Sequence, residues 1–304
     1  MKPDLRVRLG SLELPNPVGV ASGTFGYGAE YEELVDVDAL GALYTKAVTP
    51  EPRPGNEVPR IVETPSGMLN SIGLANPGLE AFVAEKLPAL RARRCPVIVN
   101  VAGSTEDDYR RVIERIEAEG GVSGYEINVS CPNVRHGGLS FGTDPAQVER
   151  LTSSLRSATK RCLIVKLTPN VTDIAAMAKA AEAGGADALS CINTLVGMAI
   201  DVKRRRPRLA AGTGGLSGPA IRPVGVASVY RVSRAVSIPV IGLGGIMCAN
   251  DALEYLLAGA RAVQVGTGTF VDPSCAERVL EGIRAWMETE GVERVEDIAG
   301  LLRS

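Results

Sequence analysis

The stretch VIGLGGIMCANDALEYLLAGARAVQVGTG, residues 240–268, decides the fold. A short apolar run turns at a glycine loop, passes through the helix-like segment ANDALEYLLAGA, and returns as a second apolar run closed by a second glycine loop. The runs are near-continuous rather than alternating, as expected of parallel strands covered on both faces. Strand, helix and strand in that order read as one unit of an α/β fold.

The same kind of run recurs upstream as PVGVASG (17–23), ALYTKAV (42–48), VIVNVAG (97–103), YEINVSC (125–131), LIVKLTP (163–169) and ALSCINT (188–194), which makes eight. Helix-like stretches lie between them. Several begin at a capping residue, Ser104, Thr143 or Thr172, and several end at glycine. Eight strands alternating with helices predict a (β/α)8 TIM barrel, spanning residues 1–304 as one domain. The N-terminal LRVRLGSLELP predicts a hairpin that plugs the barrel's base. Strand starts are 25, 55, 28, 38, 25, 52 and 22 residues apart, so extended loops follow strands two, four and six. Such loops belong over the C-terminal, catalytic face.

The 304 residues are 45% hydrophobic and carry a net charge of −2, which gives no electrostatic reason to expect a nucleic-acid or membrane partner. The basic run KRRRPR at 203–208 reads as a solvated face. The first residues form neither a signal peptide nor a spanning helix, and six scattered cysteines without a C-x-x-C pair build neither a zinc nor an iron–sulfur site. Reduced thiols of a cytoplasmic protein, with no metal, are expected.

The chemistry is sought where polar residues interrupt the strands. In YEINVSCPNVRHGG (125–138), Cys131 stands where a strand gives way to a loop, as a buried filler, a metal ligand, a redox thiol or an acid–base group. Lys46 and Lys166 sit where an unpaired ammonium is costly, so each either reaches solvent at a strand end or meets an anionic group in the barrel mouth. Asn100, Asn128 and Asn193 fall at similar depth and suggest a hydrogen-bonding floor for a planar ligand. The loops GLGGI (242–246) and VGTGT (265–269) close the last two strands, the place where such barrels commonly hold a phosphate. Met247 stands where a dinucleotide fingerprint needs its third glycine, so a mononucleotide fits better than NAD. His136, the only histidine, reads as an exposed loop residue without a role.

NSIGLANPG (70–78), INVSCPNV (127–134), INTLVGMAID (192–201), GGLSGPAI (214–221) and the two glycine loops together resemble dihydroorotate dehydrogenase, over nearly the whole chain. The resemblance is to the soluble cysteine-base enzymes, and NSIGLANPG and INTLVGMAID look like the NAD-dependent type rather than the fumarate-using homodimers. It implies a flavoprotein oxidoreductase of pyrimidine biosynthesis whose barrel binds FMN. It further implies a partner subunit that carries FAD and a [2Fe–2S] cluster and passes electrons to NAD+, in a heterotetramer around a homodimer core. Ser22, Lys46, Ala47, Asn100, Asn128, Lys166, Ile192, Gly218, Gly244, Gly245, Gly266 and Thr267 match FMN-contacting positions. Lys46, Asn70, Ser71, Ile72, Gly73, Leu74, Asn128, Asn193 and Thr194 match the dihydroorotate site, and Cys131 matches the base that takes the C5 proton while the flavin takes the C6 hydride. The sequence departs from the family pattern at none of these positions. A phosphate-binding barrel without redox chemistry and a non-catalytic FMN module are the readings from other classes; a flavin spectrum and its bleaching by dihydroorotate separate them.

Overall fold

The computed structural model describes residues 2–130 and 141–303, so Cys131 and His136 lie outside the described residues. The chain opens with the antiparallel hairpin β1 (Val7–Leu9) and β2 (Leu12–Leu14), joined at Gly10 in the left-handed region (φ +60°). It then enters β3 (Val18–Val20) and β4 (Ala42–Tyr44). The first long excursion contributes β5 (Ile61–Thr64), β6 (Gly67–Asn70) and a helical run made of α1 (Leu79–Ala81), a wide π turn (Phe82–Lys86) and α2 (Leu87–Arg91). Pro88 has no N–H to continue the regular ladder at that point.

Strand and helix then alternate: β7 (Val97–Val101), α3 (Glu106–Glu119), β8 (Gly124–Asn128), α4 (Pro145–Ala158), β9 (Cys162–Leu167), α5 (Ile174–Ala183) and β10 (Ala188–Cys191). The second excursion holds β11 (Leu195–Met198), β12 (Ile200–Asp201), β13 (Arg206–Pro207) and β14 (Thr213–Ser217). The chain finishes with α6 (Arg222–Ser233), β15 (Val240–Leu243), α7 (Ala249–Leu257), β16 (Ala262–Val265), α8 (Gly268–Val271) and α9 (Cys275–Glu290).

The eight expected strands close into a parallel barrel in the order β3-β4-β7-β8-β9-β10-β15-β16, with β16 returning to β3. Every residue of β7 and β9 is buried, which is what a strand faced by side chains inside and helices outside requires. Val112, Ile113 and Ile116 of α3 and Leu151 and Leu155 of α4 supply the outer layer, each worth about 1.5–3 kcal/mol when fully buried. The hairpin closes the base, where the Cys162 thiol donates to the Leu9 carbonyl at 3.4 Å.

Three expected caps move by one residue. The N-caps are Thr105, Asp144 and Asp173 rather than Ser104, Thr143 and Thr172. Asp144 and Asp173 accept from the first free amides of their helices, and Thr105 forms a reciprocal capping box with Asp108. The two long excursions do more than lengthen loops: β6 and β14 pair, giving the antiparallel sheet β11-β14-β6-β5 beside the mouth. Residues 203–206 sit exposed on the β12–β13 hairpin, as a solvated charge run should.

Candidate active site

Side chains two apart on a strand share a face, so Glu126 and Asn128 of β8 both turn into the barrel, Asn128 nearer the mouth. Parallel register sets Asn100 beside Glu126, and Lys166 beside Asn128 and Ser190. The result is a buried network around one carboxylate. Glu126 accepts from Asn100 Nδ2 (2.7 Å) and Lys166 Nζ (3.4 Å) through Oε2, and from Ser190 Oγ (2.8 Å) and Gln264 Nε2 (3.0 Å) through Oε1. Lys166 also donates to Ser22 Oγ at 3.1 Å. Burial alone would raise the Glu126 carboxyl; the Lys166 charge and the hydrogen bonds from Gln264, Ser190 and Asn100 outweigh it and hold it below the ordinary range. Lys166 thus meets an anion supplied by the protein itself. Lys46, half-buried at the end of β4, forms no ion pair with another described residue and is held through its backbone N–H to the Gly26 carbonyl.

Above this layer Asn193 Nδ2 donates to Ser130 Oγ at 2.8 Å and to Asn128 Oδ1 at 3.4 Å, and Asn193 Oδ1 receives the Thr194 N–H. Thr194 packs against Gly215, where a Cβ would lie 2.1 Å from the threonine hydroxyl. Asn70 donates to the Gly215 carbonyl from the other side. Residues 70–74 are fixed from below by Asn56, which bonds both the Ser71 hydroxyl and carbonyl, while Leu74 lies against Ala47 and Ala102. Asn76 ties this loop to the end of β4: it donates to the Leu74 carbonyl and the Thr49 hydroxyl and accepts from the Thr49 and Gly78 amides.

Three glycine-rich turns converge at one side of the mouth. Gly218 (φ +94°) and Gly245 (φ +73°) pack so closely that a Cβ on Gly245 would lie 2.7 Å from the Gly218 carbonyl oxygen. Thr267 Oγ1 bonds Ser217 Oγ at 2.7 Å. Gly244 (φ +125°) presents its carbonyl to the Tyr255 hydroxyl at 2.7 Å, and the Ile192 N–H donates to the Leu243 carbonyl. Gly266 has open space beyond Ala21 and Thr24, so backbone there can approach a ligand.

Contacts thus join Ser22, Asn100 and Lys166 around Glu126, Asn128 with Asn193 and Thr194, and Gly218 with Gly245, while Lys46 is held through its backbone to Gly26 and Cys131 lies outside the described residues, just beyond Ser130. Asn100 Oδ1 is buried with no donor among the described residues, a state that an N–H of a planar heterocycle would relieve; flavin fits it. Glu126, Ser190, Gln264, Ser217 and Asn76 escape a reading restricted to lysines and asparagines in strands. A carboxylate inside YEINV and a glutamine inside AVQV are the signals that find the first and third. A cleft of about 510 Å3 opens at the opposite end, between Arg8, Arg234 and Glu296, away from this chemistry. Among the described residues no three His, Cys, Asp or Glu side chains cluster as a metal site.

Residues 4–287 match the family model described as dihydroorotate dehydrogenase. The chain is 56% identical over 302 residues to the Pelobacter propionicus protein named dihydroorotate dehydrogenase B (NAD(+)), catalytic subunit, covering 99% of both chains. It is 54% identical, with the same coverage, to the protein of that name from Trichlorobacter lovleyi. A crystal structure of DHODH from Eimeria tenella in complex with ferulenol shares the fold, with a TM-score of 0.82 at 24% identity, over 98% of this chain and 88% of that one. This chain belongs to the dihydroorotate dehydrogenase family.

Proposed function

We propose that this chain is the FMN-bearing catalytic subunit of an NAD+-dependent dihydroorotate dehydrogenase, oxidising dihydroorotate to orotate in the cytoplasm. The observation that carries this reading is the junction in one barrel mouth of Lys166, Ser22 and an Asn100 carbonyl without a donor among the described residues, in a chain whose near full-length relatives bear that enzyme's name. Among the described residues no helix is long and apolar enough to cross a membrane.

Ser22, Lys46, Ala47, Asn100, Asn128, Lys166 and Ile192 would hold the isoalloxazine, and Gly218, Gly244, Gly245, Gly266 and Thr267 the phosphate end. FMN, when bound, accepts the hydride leaving C6 of dihydroorotate. Cys131 takes the C5 proton, and only its thiolate can do so. Asn193 supports this task by holding Ser130, the residue before it. Asn70 to Leu74, Asn128, Asn193, Thr194 and Lys46 orient the ring amides and carboxylate. Lys166 would stabilise negative charge gained by the cofactor on reduction. A partner subunit holding FAD and a [2Fe–2S] cluster would supply the route for electrons to NAD+, since this sequence carries neither a dinucleotide fingerprint nor a cysteine cluster. A homodimer of this chain flanked by two partner subunits completes the heterotetramer.

The test uses the chain expressed alone, reduced with dihydroorotate and offered an acceptor. Reoxidation by neither NAD+ nor fumarate until the partner subunit is added supports the reading. Rapid reoxidation by fumarate moves the chain to the other soluble type.

A further inference from the structure

Only three charged side chains are buried among the described residues, and Asp251 lies on α7 outside the barrel. The other two, Glu126 and Lys166, face each other inside it at 3.4 Å, with side-chain exposures of 0% and 5%. An ion pair at such depth is no gain in stability over aliphatic residues of similar volume, because both charges lose their water. The nearby Tyr44 phenol adds no charge: burial first, then the Glu126 charge, pushes it far up.

The carboxylate also decides how two amides stand. Because Glu126 accepts from Asn100 Nδ2 and Gln264 Nε2, each amide must turn its carbonyl oxygen away; a flip would set oxygen against carboxylate. Both oxygens, Asn100 Oδ1 and Gln264 Oε1, are buried without a donor among the described residues.

We propose that Glu126 is a positioning residue for the flavin: it fixes the Lys166 ammonium and the Asn100 carbonyl toward the cofactor and offsets the lysine's charge, thereby setting the reduction potential of bound FMN. This rests on the FMN reading above. Glu126 itself touches neither substrate nor cofactor. Its four donors use both oxygens, so it serves as a fixed negative charge and not as a proton donor.

The test is a spectroelectrochemical titration of the FMN-loaded full chain at pH 8, with FMN affinity and melting temperature measured alongside. Glu126→Gln removes the offsetting charge, so the potential rises by at least tenfold in the reduced-to-oxidised ratio, about 30 mV for a two-electron couple. It also weakens FMN binding, because an amide cannot accept from four donors. Glu126→Asp keeps the charge, so its potential stays near that of the unmodified chain although its melting temperature falls. Ser190→Ala removes one donor from Oε1, leaves the charge less dispersed, and lowers the potential. This last variant carries the test if Glu126→Gln does not fold.

A potential that moves less than twofold in all folded variants, or that follows melting temperature rather than charge, overturns the proposal while leaving the FMN reading intact. An unmodified chain that takes up no FMN overturns both.

Discussion

Replacing Lys166 by Met keeps roughly the volume of the side chain but leaves Glu126 as an uncompensated charge inside the barrel. Removing one partner of a buried pair costs about 3–5 kcal/mol. Here the Asn100, Ser190 and Gln264 donors remain at 2.7, 2.8 and 3.0 Å, which places the loss near the lower bound, about 3 kcal/mol. The pH dependence has a definite sign. In the unmodified chain the Glu126 carboxyl is held below its ordinary range, so its stabilising contribution is present above the unfolded-state value and is lost as pH falls through the folded one. Without Lys166, burial is opposed only by the three hydrogen bonds and pushes the group upward. The deficit of Lys166→Met is therefore largest near pH 8 and narrows as the pH falls toward the carboxylate range. The assay is urea unfolding of the flavin-free chain across pH, with a double-mutant cycle against Glu126→Gln. The double variant buries no net charge and should recover about 2 kcal/mol relative to the sum of the singles. A Lys166→Met chain as stable as the unmodified one at pH 8, or strictly additive singles, would refute the electrostatic account of the network.

Four further outcomes follow from the site. Cys131→Ala should retain its yellow FMN yet be reduced slowly by dihydroorotate, with Cys131→Ser crippled rather than dead. Because an ordinary thiol titrates at about pH 8.5, turnover limited by chemistry should climb through the mildly alkaline range; a flat profile from about pH 6 to 9 contradicts a cysteine base. Gly245→Ala should cost about 1–2 kcal/mol for its left-handed backbone, and its Cβ would press on the Gly218 carbonyl, so FMN affinity measured by fluorescence should fall more than tenfold. Asn76→Ala removes four hydrogen bonds, two to Thr49 in the segment after β4 and two within residues 74–78, so KM for dihydroorotate should rise about tenfold while FMN affinity changes little in equilibrium dialysis.

The barrel is legible in the sequence because a parallel strand faced on both sides leaves an uninterrupted apolar run, and eight of them survive between glycines. Cap positions are less so: Ser104 and Thr105, like Thr143 and Asp144, are adjacent capping residues, and only backbone geometry chooses between them. The pairing of β6 with β14 joins segments about 145 residues apart, and TGGLS looks like a turn rather than a strand. Local pattern carries no trace of that contact. Lys166 is conspicuous because an ammonium does not belong in LIVKLTP; the carboxylate inside YEINV marks Glu126 in the same way, but that the two are partners emerges only once register brings five side chains together.

The most direct test of the central claim is anaerobic. The purified chain is mixed with dihydroorotate while its visible spectrum is recorded and orotate is quantified. Bleaching of a bound flavin with one orotate formed per FMN is the predicted result. A chain that carries no flavin, or one whose flavin stays oxidised in the presence of dihydroorotate, would contradict it.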